Sequence, residues 1–274
     1  MLIFEGARMM RTVRFELLRP SEIIAERDRF PVVFQPIGPL EWHGPHLPYG
    51  TDPLHAQAVS VRTAEAIGGV VMPTLYWGSE RERSPESLRQ IGFKGDEWIV
   101  GMDFPDNSMK SLYSMEDVLA FVVRARLELV IEQGYKLIVI VNGHGAANHM
   151  ATLDRLAKEY TARGGAKVLF TTAFDPSPDG TYNIGHADAL ETSLMLALEP
   201  ESVDIPALLP LSEPLKNTGW GIVDGDTFSG RPTPDYTLRP NDDPRLNASA
   251  EQGEAALKGD VERLSKQVHS ALNG

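Results

Sequence analysis

Apolar positions fall into short unbroken runs separated by stretches of helical spacing. Pro31-Val-Val-Phe-Gln-Pro36 reads as a strand bounded by prolines, and Asp52 to Ile67 reads as a helix. Gly69-Val-Val-Met-Pro73 predicts a second strand. A helix is expected from Glu116 to Gln133, with Glu116 and Asp117 in its first turn and Gly134 at its end. Leu137-Ile-Val-Ile-Val141 is the clearest strand, with no polar alternation. Such runs are typical of parallel strands buried on both faces. A helix over Asn148 to Arg163 closes on Gly164-Gly165, and Val168 to Thr172 forms the next strand. Ala187 to Leu198 is expected to be helical up to Pro200, and Asn247 to Leu272 forms a last helix with Gly253 and Gly259 as weak points.

Strands alternating with helices predict an α/β fold: a three-layer α/β/α sandwich with a mostly parallel central sheet. No repeat or linker divides the chain, so one domain is expected over 1–274. Two segments break the rhythm, 79–111 and 204–246. Both exceed ordinary connectors, which makes them substrate loops or oligomer contacts, unless they are plain surface excursions.

Composition narrows the partners. The chain carries 26 basic and 38 acidic residues, a net charge of −12. That balance argues against nucleic acid and anionic membranes as partners. No run approaches the roughly 18 apolar residues of a membrane span. Met1 to Leu18 lacks the apolar core of a signal peptide, so a cytoplasmic protein is expected. There is no cysteine, so any metal must be held by His, Asp and Glu, which suit zinc or manganese.

The seven histidines are unevenly spread. Three groups touch strand ends or helix starts, where ligand sites of parallel sheets lie. The first is Glu41-Trp-His43-Gly-Pro-His46 with Thr51-Asp52. Glu41 and His43 share a side if the segment is extended. Asp52 alone would more often be a helix cap; beside these neighbours it is a candidate ligand. The second group is Asn142-Gly-His144-Gly-Ala-Ala-Asn148-His149, which is either a plain turn or a ligand at a strand tip. His149 is expected to be structural. The third is His186-Ala-Asp188-Ala-Leu-Glu191-Thr-Ser193. Glu191 lies in an apolar helix and either faces solvent or needs a buried counter-charge.

Glu41, His43, Asp52, His144 and Glu191 exceed what one tetrahedral zinc takes. They suit two divalent ions, Zn2+ or Mn2+, about 3.5–4 Å apart with one carboxylate bridging. His186 is left as the general acid or base, and His46 to orient a ligand or contact substrate.

Gly38-Pro-Leu-Glu-Trp-His-Gly-Pro-His-Leu-Pro-Tyr-Gly-Thr-Asp52, Asn142-Gly-His-Gly145 and His186-Ala-Asp-Ala-Leu-Glu-Thr-Ser193 together resemble the creatininase (creatinine amidohydrolase) family, and Ala248-Ser-Ala-Glu-Gln-Gly253 is similar to a segment near its C-terminus. The resemblance implies a layered fold, a dinuclear zinc or manganese site, a homohexamer and hydrolysis of a small cyclic amide. By position it implies Glu41, Asp52 and His144 on one ion, and His43, Asp52 and a further glutamate on the other. Asp52 would bridge, and His186 would match the proton-transfer histidine. Two departures stand out. The further glutamate of creatininases proper falls here on Ala146, so Glu191 is taken as its replacement. The tryptophans of their ring pocket are missing between Trp98 and Trp220, where Tyr182 is the aromatic nearest before His186. The segment 79–111 adds Arg81, Arg83, Arg89, Lys94 and Lys110, and Gly101 to Pro105 with Lys110 to Tyr113 resembles branches that open oxidised inositols at a carbon–carbon bond. A noncatalytic metal or small-molecule binder is the alternative of another class. Without a Gly-x-Gly-x-x-Gly after a strand or a phosphate loop, a nucleotide binder has little support.

Overall fold

The computed structural model describes residues 11–80, 85–90, 93–97, 109–175, 185–215, 217–218, 221–222 and 240–273. The chain runs α1 (Pro20–Arg29), β1 (Val32–Gly38), α2 (Thr51–Ile67), β2 (Val70–Val71), β3 (Leu75–Tyr76) and α3 (Pro85–Gln90). It continues with α4 (Glu116–Glu132), β4 (Leu137–Asn142), α5 (Ala147–Arg163), β5 (Lys167–Thr172) and α6 (Ala189–Leu198). The small ladder of β6 (Asn217–Thr218) and β7 (Gly221–Ile222) precedes α7 (Pro244–Asn247) and α8 (Ala250–Asn273).

The main sheet has the order β2-β1-β4-β5, with β3 also paired to β1, and every pair in it is parallel. The apolar runs are buried on both faces for a direct reason. Val32, Phe34, Leu137, Val139 and Val141 pack with α2, α6 and α8 through Ala56, Val59, Leu194, Met195, Leu257 and Leu264. Val33, Ile37, Ile138 and Ile140 point the other way, onto α4 and α5 through Leu119, Val123, Leu127, Leu153 and Leu156. Alternate side chains of one strand thus feed two cores, which produces the three layers expected from the sequence.

Several boundaries differ. The strand expected over 69–73 is only Val70–Val71, because Met72 leaves the ladder after its amide bonds to the Phe34 carbonyl at 2.9 Å. α6 begins two residues later than its apolar pattern. Asp188 caps it, accepting from the amides of Leu190 and Glu191, while Ala187 sits at φ 56°. α1 had no counterpart in the sequence reading; Glu26 anchors it by accepting from the Gly69 amide at 2.6 Å. Parts of 79–111 and of 204–246, including Arg81 and Arg83, lie outside the described residues, whereas Arg89, Lys94 and Lys110 are exposed. No described helix is long and apolar enough to cross a membrane.

The two glycines of the last helix are unlike. A Cβ on Gly253 would lie 2.0 Å from the Ser193 carbonyl oxygen, so this glycine lets α8 approach the backbone of α6. A Cβ on Gly259 would meet nothing within 4 Å. Gly259→Ala is therefore expected to stabilise the protein by about 0.5–1 kcal/mol in denaturant titration, since helical glycine costs that much relative to alanine. A loss of stability would show that α8 is constrained there by something else.

Candidate metal centre

β1 and β4 are neighbours and end together, Ile37 lying opposite Asn142. The Gly143 amide donates to the Ile37 carbonyl at 3.0 Å, so both following loops leave from one point. The loop after β1 is pinned by the Glu41 amide on the Tyr49 carbonyl (2.9 Å) and by the Trp42 amide on Ser111 Oγ (2.9 Å). That loop delivers Glu41 and His43. It returns at Gly50, which opens α2, and Asp52 falls in the helix's first turn. No side chain caps this helix, so the capping reading of Asp52 does not hold.

Asp52 instead sits between two imidazoles. Its Oδ1 is 3.2 Å from His43 Nε2 and its Oδ2 is 3.0 Å from His144 Nδ1. His144 Nδ1 also lies 3.1 Å from Glu41 Oε2, and His43 Nε2 lies 3.7 Å from Glu191 Oε2. All five side chains are buried. Ligating atoms of Glu41, Asp52 and His144 lie within 4.8 Å of one another, as do those of His43, Asp52 and Glu191, and those of Glu41, His43 and His186. Glu191 therefore faces the cluster and not solvent.

The tautomers follow from fixed partners. His43 Nδ1 is 3.1 Å from the Glu41 carbonyl, which only accepts, so Nδ1 carries a proton. The Ser79 amide donates to His149 Nδ1, so the His149 proton is on Nε2 and is donated to Asn142 Oδ1. Asn142 Oδ1 also accepts from the His144 amide, and its Nδ2 donates to the His144 carbonyl. His149 is thus a buried support behind His144. His186 Nε2 donates to the Trp42 carbonyl at 2.6 Å, and its Nδ1 is 3.8 Å from Glu41 Oε1. The His43 and His186 rings lie 4.4 Å apart. His46 is buried, with Nε2 3.0 Å from Thr192 Oγ1 on α6, outside the ligating triplets.

Charges in the cluster are incompletely balanced. Desolvation opposes ionised Glu41, but His144 and His186 outweigh it and hold the carboxyl below its usual range. Asp52 is likewise held far down, His43 and His144 overcoming its burial. Glu191 goes the other way: burial pushes its carboxyl well up, and His43 only partly offsets this. His43 is pushed up to about 10, because Glu191 and Asp52 overcome its desolvation. Burial, then the charge of His43, brings His186 down to about 4 and His46 to about 3. Three buried carboxyls around two imidazoles call for more positive charge, greatest beside Glu191. His43 Nε2 and His144 Nδ1 are the atoms at which a cation would replace a proton. Hard oxygens with imidazole nitrogens suit zinc or manganese.

The family profile described as creatininase, creatinine amidohydrolase, matches residues 16–268.

This chain belongs to the creatininase family. Among curated relatives it is similar to the creatinine amidohydrolase of Pseudomonas putida, 28% identical over 190 residues, which cover 64% of this chain and 66% of that protein. It is also similar to the mycofactocin precursor peptide peptidase of Mycolicibacterium smegmatis (strain ATCC 700084 / mc(2)155), 27% identical over 179 residues, covering 63% and 60%. The matched stretches thus span less than two thirds of either relative. A manganese creatininase and a mutant creatininase of Zn-Zn type share the fold, each at TM-score 0.65 and 24% identity, covering 95% of this chain and 98% of theirs. The creatininase-like architecture is accordingly a parallel sheet flanked by helices, as the alternation of runs predicted.

The sequence reading brought Glu41, His43, Asp52, His144, His186 and Glu191 to one place. It did not single out Ser79, Thr192 or Tyr113 as neighbours of that place. Thr192 directly follows Glu191 in the third motif and Tyr113 ends the Lys110 to Tyr113 segment, but none of the three lies in a metal-ligand spacing. Tyr182 lies outside the described residues.

Proposed function

We propose that this chain is a dinuclear metal-dependent hydrolase that opens a small, polar cyclic amide. The observation that carries the reading is Asp52, with one carboxylate oxygen on each of two imidazoles. Glu41, Asp52 and His144 would hold one divalent ion, and His43, Asp52 and Glu191 the other, with Asp52 shared. Glu191 then replaces the ligand that Ala146 cannot supply. Zinc or manganese held there would polarise a carbonyl and provide a nucleophile at neutral pH.

The chain's own groups do the rest. His186 keeps its Nε2 proton on the Trp42 carbonyl, so its lone pair is on Nδ1, 3.8 Å from Glu41 Oε1, and Nδ1 is the nitrogen that takes up a proton on the cluster side. A neutral imidazole is what that role needs, and desolvation keeps it neutral. From Nδ1 the proton passes to the departing nitrogen. His46, buried against Thr192, holds the loop that carries His43 in register with α6. We further propose one domain over 1–274 and a homohexamer.

An amide is common to creatinine and to a peptide, the compounds for which the two relatives are named, so the cyclic amide is the first substrate to try. The inositol-opening reading gains nothing from these relatives, and residues 101–108 of its motif lie outside the described ones. Elemental analysis is expected to find two ions per chain, and metal-loaded protein to hydrolyse creatinine or another lactam. His186→Ala should keep both ions and lose about 10²–10⁴-fold in kcat. One ion per chain with no turnover of any ring would favour a noncatalytic binder.

A further inference from the structure

Tyr113 follows an isolated bridge in which the Leu112 amide donates to the Leu40 carbonyl at 2.8 Å. The bridge ties residue 113 to the loop that carries Glu41 and His43. The Tyr113 ring is centred 5.7 Å from the ring of His144. Its hydroxyl is buried and, among the described residues, makes no hydrogen bond of normal geometry; the Glu41 carboxylate lies near enough to interact with it without satisfying it. A buried donor without a partner costs about 1–3 kcal/mol, so such groups are rare and call for an explanation. Trp42 Nε1 and His144 Nε2 are likewise buried without partners among the described residues, while the chain on either side of Tyr113 is bonded. The Ser114 amide and hydroxyl both donate to the Gly78 carbonyl, and Asn148 Nδ2 donates to Ser79 Oγ and Glu116 Oε1. The segment is held on both sides of Tyr113 while its phenol is left over.

We propose that Tyr113 is a hydrogen-bond donor to the substrate, its phenol O–H reaching the carbonyl oxygen that gains negative charge as the amide is attacked. The proposal rests on the hydrolase reading above and deepens it. Burial, followed by the charge of Glu41, keeps the phenol protonated, so it acts as a neutral donor throughout. No proton changes hands. The O–H, which makes no bond of normal geometry among the described residues, turns to its acceptor when the oxygen arrives, and that bond strengthens with the charge. Tyr113 is then a catalytic residue that no metal-ligand pattern reveals.

The test compares Tyr113→Phe with the wild type, both loaded with zinc. Acetohydroxamate, which presents an anionic oxygen to metal centres, serves as a probe independent of the natural substrate. Calorimetry should show it binding the variant about 10-fold or more weakly, in line with a lost hydrogen bond to a charged group. Zinc content should be unchanged. The melting temperature should be equal or higher, because the variant removes a buried donor that makes no hydrogen bond of normal geometry among the described residues. With a lactam that is turned over, kcat should fall by about 10²-fold while KM stays nearly constant. Equal probe affinity in the two proteins overturns the proposal. So does loss of zinc or of thermal stability in Tyr113→Phe, which would make the phenol a support for Glu41. A zinc-loaded wild type that does not bind the probe overturns the hydrolase reading and this proposal with it, and is distinguishable because the wild type itself then fails.

Discussion

Asp52→Ala is expected to lose both divalent ions and with them all measurable turnover. Asp52 is the one side chain whose two oxygens face the two imidazoles separately, at 3.2 and 3.0 Å. It is also the one residue common to the Glu41-Asp52-His144 and His43-Asp52-Glu191 groups. Removing an outer partner of a metal ligand typically costs about 10–100-fold in affinity. A ligand shared by two ions should cost more, and the loss falls on both ions together. Truncating any other carboxylate should weaken one ion preferentially. Elemental analysis of dialysed protein checks the difference. Heating with and without a chelator gives a second reading: chelation should lower the melting temperature of the wild type, since ligands that bind only the folded state stabilise it, and should leave Asp52→Ala unmoved. An Asp52→Ala protein that keeps two ions and its activity would remove the bridge from the reading.

Gly143→Ala should be the most disruptive single-methyl change near the centre. A Cβ on Gly143 would lie 2.0 Å from the Asp52 carbonyl oxygen and 2.6 Å from its carbonyl carbon. Both are backbone atoms of the first turn of α2, so no side chain can swing aside. Relief requires α2 or the turn after β4 to move, and these carry Asp52 and His144. Overpacking that displaces backbone costs about 1–3 kcal/mol or more. We expect about 3 kcal/mol in chemical denaturation, together with reduced metal content. Gly145→Ala, two residues on, is the control. Its Cβ would meet nothing within 4 Å, so stability should stay within about 0.5 kcal/mol of wild type. If Gly143→Ala matched that control, the close approach of α2 to β4 would not be as tight as described.

These two changes also mark how much of the site is visible without coordinates. Asn142-Gly-His-Gly145 announces a tight turn after a buried strand, but it does not say that Gly143 and Gly145 differ. The difference comes from α2, whose first turn is pressed against one glycine and not the other. Gly253 shows the same thing. In sequence it is a weak point of a helix; in the fold it is the contact that lets α8 lie on α6. The late start of α6 was hidden because Ala187 is apolar and fits the helical pattern, while Asp188 needs its amide partners in place to be recognised as a cap.

By itself the sequence determined the alternation of buried runs and helical stretches, and hence the layered parallel fold. It also pointed to all five residues of the proposed ligand set, because strand ends and short motifs are local and a run of β-branched residues is buried wherever it folds. The tertiary structure decided what depends on distance between remote segments. It placed Asp52, already a candidate ligand beside its neighbours, between two imidazoles and aimed Glu191 at His43 from a helix far along the chain. It put His149 behind His144 and, among the described residues, left the Tyr113 hydroxyl buried without a hydrogen bond of normal geometry. Most of these are a matter of a few ångströms between residues far apart in the chain, and local periodicity carries no information about such distances.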